Sequence, residues 1–251
     1  QHIGPGARIL IIRSGEVIPK LEEVIRPSLD VRIPEACPSC GSELAWHRDF
    51  LRCSRHQECP AQVVQSLRHW FRILGTADWF GAKSLERIVA GGNHRLETVY
   101  AMTEADFVAL DFGPVQSRNF VAALETSRVT PIDDARFLAA FGISDLGLGD
   151  SRNLLRHFRL ESLESLTAER LRTIKGFGEI TSRNIADGLQ SRWPTIRHML
   201  DLGFELERTP LEEEASAIIS PVSGLGVVFT GTMSSGDRKS MEARARELGA
   251  R

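Results

Sequence analysis

The chain has 251 residues, of which 42% are hydrophobic and 25% charged, and a net charge of −2. That is enough apolar material for two or more domains, and no apolar run is long enough to span a membrane or to act as a secretory signal. The charge is uneven: six acidic residues and one arginine lie between Asp201 and Ile219, a local −5 that leaves about +3 elsewhere. Such a balance, with arginines dispersed along helices, suits structure-dependent phosphate contact better than one basic patch.

The first residue is Gln1 rather than methionine, as expected of a fragment or a processed product. Residues 7–13 (Ala-Arg-Ile-Leu-Ile-Ile-Arg) predict a strand, Ser14-Gly15 a turn, and Val17 to Ile25 a second strand. Two strands with exposed edges do not stand alone, so this piece reads as part of a barrel whose other strands lie outside it. All four cysteines follow, as Cys37-x2-Cys40-x12-Cys53-x5-Cys59. Thiolates at such spacing bind zinc tetrahedrally and close a loop too small to bury a core. Disulfides are the competing reading, weakened by the missing secretory signal. His56 can replace Cys59 as fourth ligand, but Cys59 is preferred because it leaves no thiol unused. Four ligands leave no open position, which makes the site structural.

From residue 81 the chain repeats. An apolar residue and a glycine recur as Phe80-Gly81, Phe112-Gly113, Leu146-Gly147 and Phe177-Gly178, spaced 32, 34 and 31 residues apart. Four residues after the last three glycines comes Ser-Arg-Asn: Ser117-Arg118-Asn119, Ser151-Arg152-Asn153 and Ser182-Arg183-Asn184. After Gly81 the same offset reads Leu85-Glu86-Arg87. Apolar residues at helical spacing lie on both sides of each glycine, and Thr103 and Thr167 are placed to cap two of the preceding helices. The predicted unit is helix, glycine hairpin, helix, with the apolar residue plugging the space between the helices. A glycine turn entering a helix leaves backbone N–H groups unpaired at the positive end of the dipole, where a nucleic-acid phosphate fits without any base being read. A helical repeat that packs only on itself is the plainer alternative.

Residues 205–221 are acidic and proline-bounded and read as a linker. Glu212-Glu213-Glu214 fits a solvated acidic face better than a metal site. Leu225 to Phe229 predicts a buried strand, Thr230-Gly231-Thr232 a turn, and Lys239 to Leu248 a helix stopped by Gly249. The stretch Val63, Val64, Leu67, Trp70, Phe71, Leu74 reads as core, and His69, His94, His157 and His198 carry no partner pattern. No nucleophile, base and orienting group assemble from this sequence.

The order of parts resembles the C-terminal part of bacterial NAD-dependent DNA ligases over nearly the whole chain. The resemblance rests on Arg13-Ser14-Gly15-Glu16-Val17-Ile18-Pro19, the cysteine finger ending Cys59-Pro60-Ala61-Gln62, the glycine hairpins including Lys175-Gly176-Phe177-Gly178, and Thr230-Gly231-Thr232. It implies a mainly α, multi-domain chain: the end of an oligonucleotide-binding (OB) barrel (1–33), a four-cysteine zinc finger (34–64), a DNA-binding domain of four helix-hairpin-helix units (65–204), an acidic linker (205–221) and the start of an α/β BRCT domain (222–251). It also implies a zinc held by Cys37, Cys40, Cys53 and Cys59. The DNA contacts fall at Gly113, Arg118, Gly147, Gly149, Arg152, Gly176, Gly178 and Arg183, the arginines being equally readable as intramolecular ion pairs.

The expected partners are nicked double-stranded DNA and the N-terminal adenylation domain, to which NAD and Mg would belong; a cytoplasmic, nucleoid-associated monomer is expected. The departures are specific. No Lys-x-Asp-Gly motif surrounds Lys20, Lys83, Lys175 or Lys239, so this chain by itself is expected to be inactive. Trp79 stands where the family usually has glycine, which suggests a first unit that only packs. The second hairpin looks one residue short at Leu110-Asp111-Phe112-Gly113 and has Val115 where lysine is common, so phosphate binding is expected chiefly at the third and fourth units. A non-enzymatic DNA-structure-binding module and a partner-binding helical scaffold are the remaining readings.

Overall fold

The computed structural model describes residues 2–15, 17–47, 49–55, 58–216, 220–231 and 236–250. The chain separates into two compact units, residues 1–59 and 60–251.

In the first unit β1 (Arg8–Ser14) and β2 (Ile18–Arg26) form an antiparallel hairpin with irregular register between Arg8 and Ile9 and between Leu10 and Ile11. Leu10, Ile11, Ile12, Ile18 and Ile25 remain exposed on it. The strands are as expected, but no closed barrel exists among the described residues. β3 (Leu44–His47) and β4 (Phe50–Cys53) form a second antiparallel hairpin. Before it, Cys37 N–H donates to Ser42 O (2.7 Å) and Gly41 N–H to Cys37 O (2.8 Å), a knuckle that Gly41 completes at φ 71°.

The second unit is helical. It begins at α1 (Pro60–Leu74), which runs through the 64/65 position where the sequence suggested a domain boundary. α1 pairs with α2 (Ala82–Ala90). The short α3 (Leu96–Tyr100) leads to a second pair, α4 (Glu104–Ala109) and α5 (Pro114–Val129). β5 (Ile132–Asp133) precedes a third, α6 (Asp134–Ala140) and α7 (Leu148–Leu155). A 3-10 turn (Leu160–Ser165) precedes the fourth, α8 (Ala168–Leu171) and α9 (Glu179–Asp201).

One continuous core joins the four pairs. Trp70 sits at its centre, edge-on to Tyr100, Phe137, Phe141 and Phe204, and its indole N–H donates to Tyr100 Oη at 3.1 Å. The ridge read from sequence as core is therefore core: Val63, Val64, Leu67, Trp70, Phe71 and Leu74 are all buried.

The segment expected to be a solvated linker is docked instead. Its β6 (Leu206–Glu207) pairs in parallel with β5. Thr209 donates its N–H (2.9 Å) and hydroxyl (2.5 Å) to the buried Asp134 carboxylate, and Glu214 of α10 (Glu212–Ser216) is ion-paired to Arg159. Burial raises the Asp134 carboxyl above its ordinary range, against the opposing effect of the Thr209 bonds. Leu225–Phe229 forms no strand, for none of the sheets among the described residues offers it a partner. The expected terminal helix is present as α11 (Arg238–Glu247), with Gly249 at φ 79° beyond it. Thr232 lies outside the described residues.

Candidate nucleic-acid interface and metal centre

Each pair of helices turns on one of the four repeated glycines. Gly81, Gly113, Gly147 and Gly178 are the N-caps of α2, α5, α7 and α9, all exposed and all with extended backbone. Phe80, Phe112, Leu146 and Phe177, the plugs, are 5%, 5%, 2% and 5% exposed. Having no side chain, the N-caps leave the first-turn N–H groups without a side-chain acceptor.

The caps do not need glycine for the fold. Their φ values, −64° to −78°, suit any residue. A Cβ added at Gly81, Gly113 or Gly178 meets nothing within 4 Å, and one at Gly147 meets only an Asp150 oxygen at 3.7 Å. Gly149, in the first turn of α7, also faces open space. The space beside these amides is free on the outside of the molecule.

Two residues before each cap the backbone turns left-handed, at Trp79 (φ 80°), Asp111 (62°), Asp145 (61°) and Gly176 (101°). The second hairpin is thus not short: Asp111 does the work of Gly176, since Asp tolerates this conformation. The first two hairpins also have no acidic residue in the helix first turn, whereas α7 has Asp150 and α9 has Glu179. A carboxylate there competes for an anion's place. The geometry therefore gives no ground for setting the first two aside.

The Ser-Arg-Asn triplet divides into three jobs. Ser117, Ser151 and Ser182 are fully buried, their smallness letting the helices approach. Asn153 donates to Lys175 O (3.0 Å) and Asn184 to the Asp145 carboxylate (2.5 Å), lacing the third and fourth hairpins together. Arg87 stands at the asparagine's place in the first hairpin; it donates to Asp111 O (3.2 Å) and lies 4.7 Å over the Phe112 ring, lacing the first hairpin to the second. The arginines of the triplet are each ion-paired: Arg118 with Glu104 (3.4 Å) and Arg183 with Glu179 (3.2 Å) on the surface, and the half-buried Arg152 with Asp133 (3.3 Å). The exposed Arg118 and Arg183 pairs are worth about 0–1 kcal/mol, so a phosphate can replace their carboxylates at little cost.

The four thiols converge in the first unit, every pair of sulfurs lying within 4.8 Å. Cys37 and Cys59 Sγ are 3.8 Å apart, Cys40 and Cys53 Sγ 3.5 Å. A tetrahedral ion with bonds of about 2.3 Å needs sulfurs about 3.8 Å apart. The four cysteines can therefore hold a metal ion with little movement. Hydrogen bonds from the side chain and backbone of Ser42 draw the Cys40 thiol down to about 6. Cys53 is pushed up to about 12, where a backbone bond from Arg55, which lowers it, is outweighed by burial and the neighbouring thiols. His56, the alternative ligand, lies outside the described residues.

Fold and site define a protein of repeated glycine-capped helix hairpins preceded by a four-cysteine finger. No family model matches the chain. It is 58% identical over 247 residues to a DNA ligase of Desulfatibacillum aliphaticivorans, covering 98% of this chain and 39% of that protein. Matches to DNA ligases of Desulfotalea psychrophila (48% identical, 100% of this chain and 37% of that protein) and Shewanella baltica (40%, 99% and 38%) are similar in extent. The chain belongs to the bacterial DNA ligases, and it spans about two fifths of the length of the curated relatives it matches.

Proposed function

We propose that this chain is the DNA-gripping C-terminal portion of an NAD-dependent DNA ligase, which seals nicks between 3′-hydroxyl and 5′-phosphate ends in duplex DNA. The observation that carries the reading is the set of four glycine N-caps whose open amides face space that the fold does not use. Each cap accepts a backbone phosphate on its N–H groups, aided by the helix dipole. Arg118, Arg152 and Arg183 exchange their carboxylates for neighbouring phosphates. The contacts span helix-hairpin-helix units along the backbone and read no base. A zinc ion on Cys37, Cys40, Cys53 and Cys59 supplies a structural cross-link for the finger. NAD and Mg belong to the adenylation domain, whose nucleophile motif this sequence lacks. The protein acts as a cytoplasmic, nucleoid-associated monomer; no helix among the described residues is long and apolar enough to cross a membrane.

Fluorescence anisotropy with labelled nicked duplexes of two unrelated sequences, at several salt concentrations, tests the reading. Three arginine–phosphate contacts predict a slope of log affinity against log salt of roughly −2.7. Gly178→Val leaves the fold intact, since its Cβ meets nothing, yet lowers affinity about tenfold by blocking close approach, and more than Arg183→Ala does. Salt-insensitive binding or a strong base preference would refute it.

A further inference from the structure

Trp79 is the residue that neither the fold nor the phosphate contacts account for. It holds φ 80°, a conformation that costs an aromatic residue strain, at the position where the other hairpins carry Asp or Gly. Its side chain is not core: it is 53% exposed and joins none of the aromatic contacts around Phe71, Phe80 and Phe120. The turn is fixed beneath it by Gly81 N–H donating to Trp79 O at 2.9 Å, and by Phe80, which is buried. A wide aromatic face is therefore presented on a rigid stalk, two residues before the cap whose open amides begin α2. Lys83, in the first turn of α2, is exposed and has no ion-pair partner among the described residues. Exposed apolar residues recur in the same part of two other hairpins, with Val115 (64% exposed) and Ile180 (62%) each two residues after the cap.

Phosphates account for the amides and for Lys83, but not for an indole, which gains most from a flat apolar surface. On a nucleic acid that surface is a base face, and in an intact duplex base faces are covered by their neighbours. They become available where the stack is broken, and opening an unbroken step costs a few kcal/mol. We propose that Trp79 is a specificity-determining residue: it stacks on the base exposed at an interruption in duplex DNA, while the first hairpin holds the adjoining phosphates. Val115 and Ile180 rest against sugar faces beside their own hairpins. The inference rests on the phosphate-gripping reading above and adds to it a physical reason for preferring an interrupted duplex.

The test compares the 251-residue chain with Trp79→Gly and Trp79→Phe, by anisotropy on the same duplex with and without a nick. Base–aromatic stacking predicts that Trp79→Gly loses about tenfold in affinity for the nicked duplex and little for the intact one, while Trp79→Phe keeps most of the preference. Because glycine relieves the left-handed backbone, Trp79→Gly should unfold at the same or a higher temperature. A clear fall in melting temperature, or an unchanged preference for the nick, overturns the proposal. Gly178→Val, run alongside, separates the two readings. If it loses binding while Trp79→Gly keeps its preference, only the stacking role fails; if neither variant changes binding, the phosphate reading fails with it.

Discussion

In the helical unit, Phe120 has no exposed surface and contacts the rings of Phe80, Phe107 and Phe112 at 5.1, 4.8 and 4.9 Å, so the plugs of the first two hairpins share one core. In the first unit Leu10, Ile11, Ile12, Ile18 and Ile25 face outward, and the buried hydrophobic cluster consists of Cys37, Cys53 and Cys59, with Cys40 and Leu44 packed against it. One region is stabilised by apolar burial within the chain; the other buries chiefly a cluster of four thiols that can hold a metal ion. The difference assigns separate tasks. A body that folds on its own core can keep four hairpins in fixed register, whereas a finger clipped by a metal needs only its cysteines in place.

The sharpest way to break this contrast is to remove the metal. Structural zinc contributes on the order of 10–16 kcal/mol to small fingers. With Cys37→Ser, or after strong chelation, amide protection from Ala36 to Cys53 should collapse while the helical unit melts unchanged. Elemental analysis with hydrogen exchange checks both halves. Retained stoichiometric zinc in Cys37→Ser would remove the site, and a matching loss of protection in α5 would remove the independence of the two regions.

The reciprocal cut is Phe120→Ala, which leaves a cavity among three rings and should cost about 3–5 kcal/mol. Thermal unfolding should shift strongly while zinc content stays at that of the parent chain. Loss of zinc together with the core would show that the finger leans on the body.

A smaller effect tests the division inside the repeated triplet. Asn184→Ala removes a bond to Asp145 between hairpins and should cost about 1 kcal/mol of stability. Arg183→Ala breaks an exposed pair and should cost less than about 0.5 kcal/mol. For DNA affinity the order should reverse. Equal effects on both readouts would mean that the triplet is not divided in this way.

That division marks where sequence reading ran out. The glycine positions were legible because an N-cap is a local event, set by one residue and the helix after it. The plugs were legible for the same reason, as was the four-cysteine spacing. The role of Asn153 was not, because its bond to Lys175 O comes from another hairpin. Recurrence pointed to the triplet as a unit and assigned DNA contact to its arginines alone, leaving the serine and the asparagine without a role. Residues 205–214 misled in a similar way. Their acidity suggests solvent, yet Thr209 reaches back to Asp134 and Glu214 to Arg159, across 75 and 55 residues of chain. The Leu225–Phe229 strand failed for a complementary reason, since a strand needs a partner that local propensity does not supply.

The smallest expected effect concerns acid and lies wholly in the helical unit. Thr103 caps α4, and its hydroxyl and backbone N–H each donate to Asp106 Oδ2 at 2.7 Å. These bonds, the hydroxyl's first and the backbone's second, hold the Asp106 carboxyl below its ordinary range. A carboxylate whose folded value is depressed stabilises the fold above its unfolded value, about 3.9, and loses that contribution as pH falls through the folded value. Asp106→Asn should therefore melt slightly earlier than the parent at neutral pH. Its melting temperature should also fall less steeply with acid, so that the two curves converge toward the low end. Melting followed by helical circular dichroism between neutral pH and about pH 3 covers the window. The signal reports the helical unit and is insensitive to the small finger. Curves that stay parallel would mean that the box contributes through geometry alone; curves that converge would place a titrating clasp on the helix leading into the second hairpin.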